Sequence, residues 1–116
     1  MAVNNMKKVV AKPFPAPLLT SPSDFGLAVR AARTSVNLTM ADAALAIGIA
    51  RQTLQDIEKG VGTVGIGLCL KVAQQLGVSL FCAPASDRQK VALAIESACS
   101  SEREVERLDR SERPRS

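Results

Sequence analysis

Apolar residues recur at helical spacing in several short stretches of this chain, and most of those stretches are closed by a glycine. Between Leu38 and Gly60 two of them stand back to back. Ala43, Ala44 and Ile47 give a first short helix a small, tightly packing inner face. Thr39 is placed to cap it, its hydroxyl accepting from a free N–H two or three residues on, and Asp42 at the third helical position can answer as a weak capping box. Gly48 falls where a helix ends in left-handed backbone, which other residues adopt only with strain. Ile49 then fits as a buried plug in the turn. A second helix is predicted from Arg51 to Lys59, with Leu54 and Ile57 inward and Arg51, Gln52, Gln55, Asp56 and Lys59 on the polar side.

The same reading extends over the rest of the chain. Residues 1–20 form an arm, predicted to be flexible and basic. Its Pro13-Phe14-Pro15-Ala16-Pro17 segment is held extended, because proline fixes its own dihedral and restrains its neighbour, and Val9 and Val10 suggest a short strand. A helix is predicted from near Ser23 to Ser35, capped by Ser21 or Ser23, with Phe25, Leu27, Val29 and Ala32 as apolar surface. A fourth covers about Val64 to Leu76, with Ile66, Leu68, Leu70, Val72, Ala73 and Leu76 mostly inward, and Gly77 stops it. From Leu76 the chain turns apolar and strand-like until Pro84. A domain is therefore expected over 21–84, a helical extension over 85–110 and a disordered tail over 111–116. In the extension Ser86 serves as cap, Asp87 suits the positive helix end, and Val91, Ile95 and Ala98 form one stripe. That stripe is core, a dimer surface or a docking face for another protein.

The outer face of the Arg51–Lys59 helix carries chemistry that suits DNA. Arginine can pair with the O6 and N7 acceptors of guanine and glutamine with N6 and N7 of adenine, each pair contributing about 1–3 kcal/mol of discrimination. Arg51 and Gln52 occupy the N-terminal turn, the part that reaches deepest in a helix-turn-helix. An ordinary solvated helix face is the competing reading. The doubled helix, the placed glycines and Ile49 weigh against it, because together they make a whole docking unit.

Leu38–Gly60 resembles the Xre/Cro-type helix-turn-helix of phage and bacterial repressors, through Leu38-Thr39, Ala44, Gly48-Ile49, Arg51, Thr53, Ile57-Glu58 and Gly60. The similarity extends upstream through Phe25–Arg33 and downstream through Leu70–Leu80, about half the chain. It implies an all-α, lambda-repressor-like domain of four to five helices that binds double-stranded DNA. It places Arg51, Gln52, Gln55 and Asp56 at base-reading positions and Thr39, Thr53 and Lys59 against phosphates. The chain departs from the pattern at Ala50, where a Ser or Thr cap is frequent, and at Met40, where a polar phosphate contact is frequent. Asp56 either accepts from cytosine N4 or faces Arg30 or Lys59. The exit Leu76-Gly77-Val78-Ser79-Leu80-Phe81-Cys82-Ala83-Pro84 resembles that of the Hip-type antitoxins, whose domain ends in a short strand paired with its twin across a dimer. A lone strand leaves half its backbone groups unpaired. Val78, Leu80 and Phe81, with Val91 and Ile95 of the stripe, are accordingly the dimer candidates; an extended tail packed on its own domain is the alternative.

Charge and composition narrow the picture. The net charge is +4. Residues 1–20 hold Lys7, Lys8 and Lys12 and no acid, whereas residues 86–116 balance seven bases against seven acids. Lys7 and Lys8 are thus further phosphate candidates, unless the arm is only a solubilising tail. The only aromatics are Phe14, Phe25 and Phe81, too few for the stacking platforms that bind single strands. There is no histidine, and Cys69, Cys82 and Cys99 are widely spaced, so zinc-ligand sets and His-based triads are absent, Cys69 reads as a small core residue, and no enzyme, metal or cofactor is expected. Gly60-Val61-Gly62-Thr63-Val64-Gly65 spells GxGxxG, but it follows a predicted helix rather than a strand and is read as a loop. No signal peptide or long apolar span occurs, which fits the cytoplasm and no membrane partner.

Two function classes remain. One is a sequence-specific repressor, homodimeric on a palindromic operator. The other is a toxin-neutralising antitoxin that also autoregulates its operon.

Overall fold

The computed structural model describes residues 9–99. Helix α1 (Pro22–Ser35) starts where the Ser21 hydroxyl accepts from the Asp24 N–H at 3.2 Å, with Pro22 at the first helical position. The Asp24 carboxylate in turn accepts from the Thr20 N–H (2.9 Å) and hydroxyl (2.8 Å), and those two bonds hold it below the usual carboxylate range. α1 ends on Asn37, in left-handed backbone at φ +60°, so that Asn37 N–H returns to Thr34 and Leu38 N–H to Arg33. Helices α2 (Met40–Ile47), α3 (Arg51–Lys59) and α4 (Ile66–Leu76) follow and end at Gly48, Gly60 and Gly77, all at positive φ. A 3-10 turn (Ala85–Asp87) leads into α5, helical over 88–99.

Residues 9–15 with 19–81 form one compact unit and residues 16–18 with 82–99 a second. The core of the first is Val29, Ala43, Ala44, Ile47, Leu54, Ile57 and Val72, with Phe25, Leu38, Met40, Ile49, Val64, Cys69 and Leu76 packed against it. Small side chains permit close approach, and α3 uses it, packing against both α1 and α2. A Cβ at Gly26 of α1 would stand 2.5 Å from the carbonyl oxygen of Ile57, so the two backbones meet where only glycine fits. Partial burial pushes the Cys69 thiol above its ordinary value, consistent with its place at the core's edge.

The second fixing device is electrostatic. Arg33, 8% exposed, forks onto Glu58 through Nε–Oε2 (2.7 Å) and NH2–Oε1 (3.0 Å), while its NH1 donates to the Leu38 carbonyl at 2.8 Å. One guanidinium therefore ties α1 to α3 and closes the α1–α2 turn. All the buried polar side-chain atoms among the described residues find partners.

Several expectations are corrected. Residues 78–84 form no strand, and neither do Val9 and Val10; the described residues contain no strand at all, since a strand needs a partner strand to pair with and they offer none. Ile66 and Leu70 are 77% and 47% exposed instead of inward. α4 packs chiefly on α1 and fully buries only Val72 and Ala73; Leu68, Cys69 and Leu76 are half-buried and Ile66 and Leu70 stay exposed. α4 begins at Ile66, two residues later than expected, with Gly65 as its N-cap. Ile49 is half-buried, not fully enclosed. The expected Thr39 cap is present, its hydroxyl accepting from Asp42 N–H at 3.1 Å, and GxGxxG does lie in a loop between two helices. Among the described residues no helix is long and apolar enough to cross a membrane. The expected helix beyond residue 99 and the tail over 111–116 lie outside the described residues.

Removing one partner of a buried pair strands the other charge. Glu58→Ala is expected to cost about 3–5 kcal/mol in denaturant unfolding, and the double change Arg33→Met with Glu58→Leu to cost clearly less.

Candidate nucleic-acid interface

α3 is two-sided, and the core decides which side faces out. Leu54 and Ile57 are 0% and 3% exposed, locking the helix from behind. Arg51, Gln52 and Lys59 are exposed, and Thr53, Gln55 and Asp56 are half-exposed. The four expected base-reading residues therefore share an accessible surface of one helix. Within it, Gln52 Nε2 donates to Asp56 Oδ1 at 2.9 Å. Asp56 here faces Gln52, one turn back, rather than Arg30 or Lys59. The contact also orients the carboxamide and tempers the carboxylate charge on a surface otherwise suited to an anion.

The α2–α3 turn holds this helix by its N-terminus. Gly48 and Ile49 N–H both return to the Ala44 carbonyl, at 2.9 and 3.0 Å, and the Ala50 carbonyl accepts from Thr53 and Leu54 N–H. Ala50 has the extended backbone of an N-cap (φ −68°, ψ +143°) but supplies no side-chain bond. At the other end Gly60 sits at φ +81°, and a Cβ there would stand 2.7 Å from Ser23 Cα, so the start of α1 and the end of α3 are in direct contact.

Of the phosphate candidates, Thr39 spends one lone pair on its cap and borders an open cleft of about 440 Å³, whereas Lys59 lies at the far end of α3. Lys7 and Lys8 lie outside the described residues. The cleft also gathers residues that the sequence reading did not bring together: Lys12 of the arm, Arg30 of α1 and Arg51 of α3. The sequence pattern carries no sign of this: Arg30 and Arg33 are three apart on α1, and only the fold buries Arg33 and leaves Arg30 exposed. Of the dimer candidates, Val78 is half-buried, Leu80 and Phe81 are 40% and 73% exposed, and half-buried Val91 and Ile95 belong to the second unit.

A three-helix unit that buries one face of its last helix and presents Arg and Gln at that helix's first turn defines a helix-turn-helix DNA-binding domain. The helix-turn-helix family model matches residues 29–81. Over those residues the chain is similar to the helix-turn-helix family, and in structure it is similar to HipB. A HipB variant solved in complex with its O2 20mer is 25% identical, with a TM-score of 0.53 over 59% of this chain and 94% of that one. HipB solved with its O4 20mer, and a structure described as MDT Protein, are each 24% identical, with TM-scores of 0.53 over 59% of this chain and 96% of theirs, and agree in fold. No curated protein matches the chain.

The uncapped start of α3 can be improved without touching its reading face. Ala50→Ser is expected to raise unfolding stability by about 1 kcal/mol, seen as a higher denaturation midpoint with an unchanged denaturant slope.

Proposed function

We propose that this protein is a sequence-specific transcriptional repressor that binds a palindromic operator as a homodimer. The observation that carries the reading is the exposure of Arg51 and Gln52 on the first turn of a helix fixed from behind by Leu54 and Ile57. In this reading Arg51, Gln52, Gln55 and Asp56 meet base edges. Thr39, Thr53, Lys59, Lys7 and Lys8 meet phosphates. Half-sites lie about one helical turn apart, or a multiple of it, matching the protein two-fold. Binding represses by occupancy and requires no reaction.

The homodimer is supported by the segment after α4. Val78, Leu80 and Phe81 lie outside any helix and pair with no strand among the described residues, and Leu80 and Phe81 leave apolar surface in water. A second copy of the same segment would satisfy both. Val91 and Ile95, apolar and one turn apart on α5, would add to the contact.

Arg51→Ala and Gln52→Ala are each expected to weaken binding to the operator by about 1–3 kcal/mol and to relax base preference at one position of each half-site, read by binding titration on a set of single-base operator variants. Unchanged affinity together with unchanged preference overturns the reading.

The likeness to HipB favours a second role, neutralisation of a toxin encoded beside this gene, with the operator function retained. The helical extension after Pro84 is the segment of this chain left for such a partner. Deleting 86–116 should then abolish binding to the neighbouring gene's product while DNA binding persists; retained partner binding would place that contact elsewhere.

A further inference from the structure

The arm crosses α1 at one defined point. Lys12 N–H donates to Thr34 Oγ1 at 3.0 Å, across 22 residues of sequence. Thr34 is 6% exposed, and its hydroxyl proton is already directed at the α1 carbonyls of Arg30 (2.8 Å) and Ala31 (3.3 Å). The oxygen can therefore serve the arm only as an acceptor, and the Lys12 amide is the donor it receives. Pro13 follows directly and restricts Lys12 to extended backbone. The hydrogen bond and the proline together fix where the Lys12 side chain leaves the arm.

It leaves into the open cleft that Arg30 and Arg51 also line. None of the residues lining that cleft is acidic. Arg33 is there too, but its guanidinium is bound to Glu58 and the Leu38 carbonyl. Lys12, Arg30 and Arg51 are all exposed, so the cleft gathers three like charges that a bound anion would neutralise. Arg51 belongs to the helix proposed to enter the groove. Resting on that reading, the anion nearest at hand is a phosphodiester of the duplex beside the bases α3 meets.

We propose that Lys12, positioned by Thr34, forms with Arg30 a seat for a DNA backbone phosphate, so that the arm joins the interface through one anchored lysine. Thr34 acts here as a positioning residue. Its hydroxyl touches no DNA; it sets the place of a charge that does.

The test uses the full chain and a mixed-sequence DNA duplex, with affinity measured across a range of salt concentrations. A lysine that neutralises one phosphate contributes about 0.9 to the slope of log affinity against log salt. Lys12→Ala is expected to lower the slope by about that amount. Thr34→Val keeps the side chain's shape but removes the acceptor, and it should lower the slope equally, while Thr34→Ser keeps it. Combining Lys12→Ala with Thr34→Val should lower it no further than either alone. An unchanged slope for Lys12→Ala overturns the seat. A normal slope for Thr34→Val, with its thermal unfolding intact, overturns the positioning role. In both cases, wild-type binding that Arg51→Ala still weakens would leave the DNA reading standing; wild-type protein that binds no duplex at low salt would remove both.

Discussion

Arg33 and Glu58 stand 25 residues apart in the chain and meet in two hydrogen bonds, at 2.7 and 3.0 Å, with side chains only 10% and 5% exposed. Neither charge tolerates that environment alone, because taking an ion out of water costs several kcal/mol that only a well-formed partner offsets. The pair thus demands one relative placement of α1 and α3. The third arginine donor, on the Leu38 carbonyl, extends the demand to the turn that launches α2. Arginine is suited to this, since its rigid planar fork matches both carboxylate oxygens while a further donor reaches the carbonyl.

Around this fork the packing is tight where it must be. Gly26 lets α1 lie against the carbonyls of Ile57 and Glu58, the last turn of α3, and Gly60 lets the chain turn away beside Ser23. The core is built largely from alanine, with Leu54, Val29 and Val72 its largest fully buried side chains. So small a core gains little from burial area and leans on precise contact instead. The result is that α3 is held on one face through Leu54 and Ile57, with its polar face left exposed.

That arrangement separates the residues that hold α3 from those it exposes. Leu54, Ile57 and Glu58 fasten α3; Arg51, Gln52, Gln55 and Asp56 occupy what remains. On that exposed face Gln52 donates to Asp56, one turn on. The arm adds a cation at the edge of this face, from a distant part of the chain.

Much of this was local and therefore visible in the chain itself. The Ser21 and Thr39 caps, the left-handed glycines at 48, 60 and 77, and the inward Leu54 and Ile57 all follow from rules that act within one helical turn. So does the two-sidedness of α3, and with it the nature of the candidate interface. Periodicity failed where burial depends on a neighbour: Ile66 and Leu70 have helical spacing but are not buried by the described residues. It failed for the strand after Leu76 for a related reason, since backbone pairing is a property of two segments and not of one. The Arg33–Glu58 fork and the meeting of Lys12 with Thr34 were likewise beyond a local reading. Each joins groups more than twenty residues apart, and only the folded arrangement of α1, α3 and the arm decides which charges are buried together and which are left at the surface.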